Sequence, residues 1–398
     1  MGETSTVAFF IVGNLIGAGF FMMPATVAHL GLNLIWSWAA GATVALTFAL
    51  IFGSLYKFYP KSETLADYFD NFPLKQTVAI LYWIGAIVGN VVLLTMVLAA
   101  LKPSSFKVSL IGAFFVMLIL TLINHYLSYE AVKVIEILLS MMKFSLLIFL
   151  PLFIFISNPS KVTLPAAQGN FSDIAKIGAM SFWSFLGIET AGVFGKGKAA
   201  RNGLLIGIIS CFILYVLSCF LIVGSVPLET LQSSKEIPLV YLVKFSNYPY
   251  LSKYVSLLIS FTCFGALYGW VAATSKMSLS YAKENLFSKV FLIPTKSNNS
   301  LIGLWSSSII TYLIYFFVGS FNVDVQFNII ADFCVNITLS IFCLCAMVLF
   351  LKTESIFEKL LSAFGVLFLV FLLSMSVKYS IISIILFFIT LAVTNLLN

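Results

Sequence analysis

Apolar residues run along this chain in long stretches, and polar residues collect in the short intervals between them. A helix needs about 20 apolar residues to cross a hydrocarbon core of about 30 Å. On that spacing the chain is predicted to hold twelve spans: 7–29, 33–56, 76–101, 107–124, 131–157, 175–194, 203–226, 252–276, 302–320, 326–351, 355–374 and 379–397. The tail is divided at Met375–Lys378, where a lysine interrupts the apolar run. The longest intervals, Asn158–Ile174 and Pro227–Lys253, are too short for a soluble domain, and the second is expected to carry a short surface helix. The first span has neither a basic start nor a small-residue cleavage site, so it is expected to be retained rather than removed as a signal peptide.

Two spans break the pattern. Gly13-Asn14-Leu15-Ile16-Gly17-Ala18-Gly19 places three glycines and an asparagine inside the first span. Each interior glycine weakens a helix by about 1 kcal/mol relative to alanine. In lipid any backbone group set free must find a partner within the protein. Two readings follow, a close helix–helix contact of small residues or an unwound turn that lines a site. A comparable stretch, Ser181–Gly192, combines Gly187 and Gly192 with Trp183 and Glu189 about five helices later. Two interrupted spans at matching positions of two five-helix halves point to an inverted-repeat secondary transporter. The expected fold is therefore all-α and polytopic, a single transmembrane domain over 1–398. Its parts are 1–157 and 175–351 as the repeats and 355–397 as two accessory helices.

Composition agrees. The 398 residues are 61% hydrophobic and 9% charged, more apolar than a soluble chain of this length can bury. The net charge of +7 reports topology rather than nucleic-acid binding. With the N-terminus inside, thirteen Lys/Arg fall on the cytoplasmic face and eight on the other, which favours N-in and C-in. The six cysteines all lie in apolar spans without metal-ligand spacing and are expected to pack; no metal or cofactor is expected. There is neither a large soluble domain nor a GxxxxGK[ST] phosphate loop, so a nucleotide-driven pump is excluded. No enzymatic activity is expected. Transport must use a gradient or exchange one solute for another.

Four segments carry a resemblance. Asn14–Pro24 resembles the first-helix motif of the amino acid–polyamine–organocation superfamily. Leu81-Tyr82-Trp83-Ile84-Gly85-Ala86-Ile87-Val88-Gly89-Asn90 is similar to the third helix of its arginine/agmatine and basic amino acid/polyamine antiporters. Trp183–Glu189 resembles their sixth helix, and Gly265-Ala266-Leu267-Tyr268-Gly269-Trp270 their eighth. Two departures stand out. Pro60–Tyr68 is shorter than the family's glycine-containing loop, and Gly195–Asn202 keeps the Arg201-Asn202 end without the family's proline.

The resemblance implies roles. Gly17, Ala18 and Gly19 would hold a substrate carboxylate through backbone N–H groups, with Asn14 one turn earlier lining the site and a second half-helix restarting at Pro24. Trp183 would pack on the aliphatic part of the substrate, with Ser184 and Leu186 beside it, unless it is only a core aromatic. Trp270 would stack on the distal cation. Tyr82, Gly85, Ala86 and Asn90 would form the wall that hydrogen-bonds the distal group. Asp332 either faces Trp270 as an anion or is solvated near a helix end. Glu189 either caps the broken helix in its protonated form or acts as a gate carboxylate coupled to a proton; its burial costs roughly 2.5–3.5 kcal/mol on insertion scales. Lys143 lies too far from either interface to snorkel well. Some proton-coupled members carry a lysine here, beside the first broken helix.

The expected function is alternating-access transport of cationic amino acids or their amine products across the inner membrane, by exchange or proton coupling. The alternatives are proton symport of neutral or varied amino acids and, in a different class, a channel or a non-transporting receptor. The expected partners are an amino acid or polyamine, a proton and the bilayer, with a homodimer left open and nucleic acid excluded.

Overall fold

The computed structural model describes residues 3–62, 64–102, 104–157, 165–190, 197–233, 237–319, 323–375 and 377–397, and the regular elements among them are helices. The first predicted span is two helices, α1 (Glu3–Leu15) and α2 (Ala18–Val27). A 3-10 stretch, Ala28–Asn33, leads into α3 (Leu34–Phe58), followed by α4 (Phe72–Leu101), α5 (Phe106–Tyr126) and α6 (Tyr129–Ser157). The sixth predicted span is also divided. It consists of α7 (Phe171–Ser181) and two one-turn 3-10 helices, Phe182–Phe185 and Ile188–Thr190. Then come α8 (Gly197–Ser225), the short α9 (Leu228–Ser233) and α10 (Pro238–Lys244), α11 (Ser252–Lys283) and α12 (Leu301–Val318). The chain closes with α13 (Val323–Lys352), α14 (Ile356–Met375) and α15 (Val377–Leu397).

Among the described residues, eight helical stretches are long and apolar enough to cross a membrane: Gly19–Phe58, Phe72–Leu101, Phe106–Tyr126, Lys198–Ser225, Pro249–Lys283, Leu301–Val318, Phe333–Lys352 and Ile356–Ser374. α1 and α7 fall short because each is half of a broken span. Between 227 and 253 the single predicted surface helix is replaced by two short ones, and α10 is mostly buried through Pro238, Leu239, Val240, Leu242 and Val243. One expectation fails: α2 restarts at Ala18 rather than Pro24, which lies inside it. Its ring removes one backbone bond without ending the helix.

Helix starts follow local chemistry. Asn71 accepts from the Leu74 amide ahead of α4, Ser105 from Val108 ahead of α5, and Ser300 from Gly303 ahead of α12. Asn170 and Asp173 form a reciprocal capping box at α7. Such caps are worth about 1 kcal/mol each.

Packing places the broken spans at the centre. α1 lies against α8, α3 against α7 and α8, and α4 against α11 and α13. Two bonds tie α4 to α11 at different depths, Trp83 Nε1 to the Thr274 carbonyl at 3.1 Å and Ser260 Oγ to the Val97 carbonyl at 3.0 Å. Beyond α2, the Gln168 amide donates to the Leu30 carbonyl at 3.0 Å, and Asn33 Nδ2 donates to the Gln168 carbonyl at 2.8 Å. Gly31, at φ 55°, fits this junction because a Cβ would run into the Ala166 carbonyl. At the opposite helix ends, ion pairs join Lys57 to Glu358 (2.6 Å), Lys75 to Glu284 (2.6 Å) and Lys352 to Asp70 (2.7 Å).

Candidate functional site

At the first break, Ile16 and Gly17 leave the helix, Gly17 being extended with φ −150° and ψ −155°. The end of α1 releases carbonyls, and two of them find donors on other helices. The Val12 carbonyl accepts from the Ile16 amide at 3.1 Å. The Gly13 carbonyl accepts from Lys143 Nζ at 2.8 Å, and the Leu15 carbonyl from the Tyr215 hydroxyl at 2.8 Å. Lys143 is 3% exposed, so its ammonium reaches no interface and is held by the backbone of another span. On the far side of the break, the first amides of α2 have no intrahelical acceptors, and Gly17 supplies no side-chain cap. That is the arrangement by which a helix N-terminus receives an anion.

The second break is held differently. Leu186 is extended, and Gly187 takes φ 116°, a region that side chains rarely adopt. The Gly187 amide donates to Glu189 Oε2 at 2.9 Å, and the Tyr82 hydroxyl donates to Oε1 at 2.6 Å. Glu189 thus folds back on its own break and reaches across to α4. It is 8% exposed. The Ser184 carbonyl accepts from the Tyr215 hydroxyl at 3.1 Å.

Between the breaks lies a cleft holding about 680 Å³ of empty space, part of it open to the exterior. Asn14, Gly17, Gly19, Tyr82, Gly85, Ala86, Trp183, Ser184, Leu186, Glu189 and Trp270 line it, together with residues of α11 and α13. Gly19 admits the Trp183 indole, which a Cβ there would strike. Of the remaining predicted residues, Ala18 contributes backbone at the start of α2, and its side chain lies outside the described residues. The Asp332 side chain also lies outside them. Lys143 sits behind the first break rather than in the lining. Asn90 is 1% exposed and also outside the lining. It shares a helix face, at seven-residue spacing, with Trp83 and Val97, which are bonded to α11. Tyr82 lines the cleft, but its hydroxyl is engaged by Glu189.

The sequence motifs, the two breaks and the cleft between them fit one transport family, and a family model described as Amino acid permease matches residues 3–397. The chain belongs to the amino acid permease family. The permease is similar to the putrescine transporter PotE of Escherichia coli, 24% identical over 372 residues that cover 86% of this chain and 82% of PotE. It is 26% identical over 347 residues to an arginine/ornithine antiporter of Pseudomonas aeruginosa, covering 79% and 70% of the two chains. A putative arginine/ornithine antiporter of Bacillus subtilis is 22% identical over 357 residues, covering 78% and 76%. The permease is a polytopic membrane transporter, not an enzyme.

Three features of the permease site escape sequence reasoning. Cys334, expected only to pack, lines the cleft and donates through Sγ to the Gly85 carbonyl at 3.3 Å. Thr338, one turn further along α13, also lines it. Tyr215 reaches both breaks from α8. The one available signal was a tyrosine hydroxyl in an apolar span, which needs a partner once buried.

Proposed function

We propose that the permease is a secondary active transporter of amino acids with a cationic side chain, or of the amines derived from them, working by alternating access around this cleft. The observation that carries the reading is the convergence of both breaks on one cleft lined by Trp183, Glu189 and Trp270. The first amides of α2 would receive the substrate carboxylate, with Gly17, Ala18 and Gly19 as the turn and Asn14 beside it. Trp183, Ser184 and Leu186 would hold the aliphatic part, and Gly85 and Ala86 leave room for it along α4. Trp270 would face the distal cation, and a cation over a desolvated indole gains on the order of 2 kcal/mol. The printed names of the relatives, a putrescine transporter and arginine/ornithine antiporters, support this substrate class.

Glu189 and Lys143 are the groups proposed to link the cycle to a proton. Each is buried, and each is bonded to the backbone of a break. Proton exchange at either would change what holds that break open. The charge bias of the loops supports an inner-membrane protein with both termini inside.

A second reading, proton symport of neutral amino acids, is favoured by one observation. Among the described lining residues the single carboxylate is Glu189, which already accepts two hydrogen bonds. Proteoliposomes decide between them. Uptake of labelled arginine, ornithine or putrescine that requires internal substrate establishes exchange. Uptake driven by an imposed pH gradient without internal substrate establishes symport. Uptake of neutral amino acids alone would overturn the cationic reading.

A further inference from the structure

Tyr215 is fully buried on α8, and its ring touches both broken spans. It stacks on Phe20 of α2 with centroids 5.1 Å apart and planes at 21°, and meets Phe185 of the second break edge-on at 5.5 Å. Trp38 of α3 closes a third side at 4.9 Å. The hydroxyl lies between two carbonyls, Leu15 at 2.8 Å and Ser184 at 3.1 Å. One belongs to each break.

A phenol has one hydrogen to donate. Both acceptors need it, since a carbonyl set free within the membrane has no water to turn to. Proton sharing of this kind is possible only while the two breaks stay at their present separation. If either moved away, the hydroxyl would serve the nearer carbonyl alone and leave the other bare.

We infer that Tyr215 is a positioning residue that keeps the two breaks in register, so that both walls of the substrate cleft stay assembled together. The inference rests on the transport reading above for its consequence, but not for its geometry. It assigns to α8, which the cleft lining does not include, control over the shape of the binding site.

Tyr215→Phe keeps the ring contacts and removes only the hydroxyl. Hydrogen–deuterium exchange on the purified full-length protein in lipid nanodiscs reads both breaks directly. Peptides covering 13–20 and 182–190 are both expected to exchange faster, by about tenfold or more. In proteoliposomes the KM for the carried cation is expected to rise about tenfold, with the maximal rate per folded molecule changing much less. Tyr215→p-aminophenylalanine, which offers two N–H donors at the same place, should restore both protection and KM. A role in fold stability alone would lower the melting temperature and leave KM where it was. Faster exchange at one break only, unchanged exchange at both, or an unaltered KM would overturn the proposal. If the unmutated protein carries none of the tested solutes, the transport reading fails, and the exchange data still judge the role of the hydroxyl.

Discussion

The two breaks serve one cleft and are held in opposite ways. The first has carbonyls that are met by side chains from other helices. Gly13 is met by Lys143 from α6 and Leu15 by Tyr215 from α8. The second carries its own cap, since Glu189 bonds the Gly187 amide two residues back and draws in Tyr82. A break supported from outside takes its shape from whatever the supporting helices do. Around Gly187 the second break is supported from within and changes chiefly when its own carboxylate does, while its Ser184 carbonyl shares the Tyr215 hydroxyl with the first break.

That contrast can be broken by substitution. The largest effect is expected from Lys143→Ala, which strips the donor from the Gly13 carbonyl; a buried carbonyl left bare costs about 1–3 kcal/mol. Uptake should fall to background, and hydrogen exchange should rise at the first break while the second stays protected. Gly187→Ala comes next. It forces a side chain into φ 116°, with strain of order 1–3 kcal/mol, and uptake should fall at least about tenfold. Here exchange should rise at the second break alone.

Glu189→Gln keeps the shape of the cap but turns an amide NH₂ towards one of two donors. About a tenfold loss of uptake is expected, together with loss of its pH dependence. Unchanged pH dependence in both this variant and Lys143→Ala would rule out proton coupling through the breaks. The smallest effect belongs to Tyr82→Phe, which removes one of the two bonds to Glu189; a bond to a charged group is worth about 1.5–3 kcal/mol at most, and the Gly187 amide remains. A several-fold loss of uptake is expected, and a loss as large as that of Glu189→Gln would mean that the cap depends on α4 after all.

Much of this arrangement was legible beforehand, for a physical reason. Lipid makes a broken helix costly, so the glycines at 13–19 and Gly187 marked the breaks before any geometry was known. An ammonium at mid-span needs a partner, and only the family resemblance puts Lys143 beside the first break. Its partner was not legible: it is a neutral backbone carbonyl, and no side-chain pattern encodes that. Tyr82 was read as a wall for the substrate, yet its hydroxyl lies on Glu189. Asn90 was placed in the same wall from a motif, although one further residue along a helix turns a side chain by about 100°. Tyr215 left the faintest trace, because one tyrosine among sixteen looks like ordinary aromatic packing until its neighbours are known. Cap residues such as Asn71, Ser105 and Asn170 were readable in principle, since each acts within three residues of itself.

The junction at Gly31 has a mechanical consequence. α2 has ten residues and α7 has eleven, so these two half-helices are nearly equal rods of about 15 Å. They are in contact. The Tyr215 hydroxyl bridges Leu15 just before α2 and Ser184 just after α7, and the bonds among Leu30, Asn33 and Gln168 join the chain just after α2 to the chain just before α7. Rods fastened at one point can scissor; rods fastened at both ends form a plate. Any tilt that opens the cleft must then carry α2 and α7 together, as a door leaf turns rather than as two fingers part.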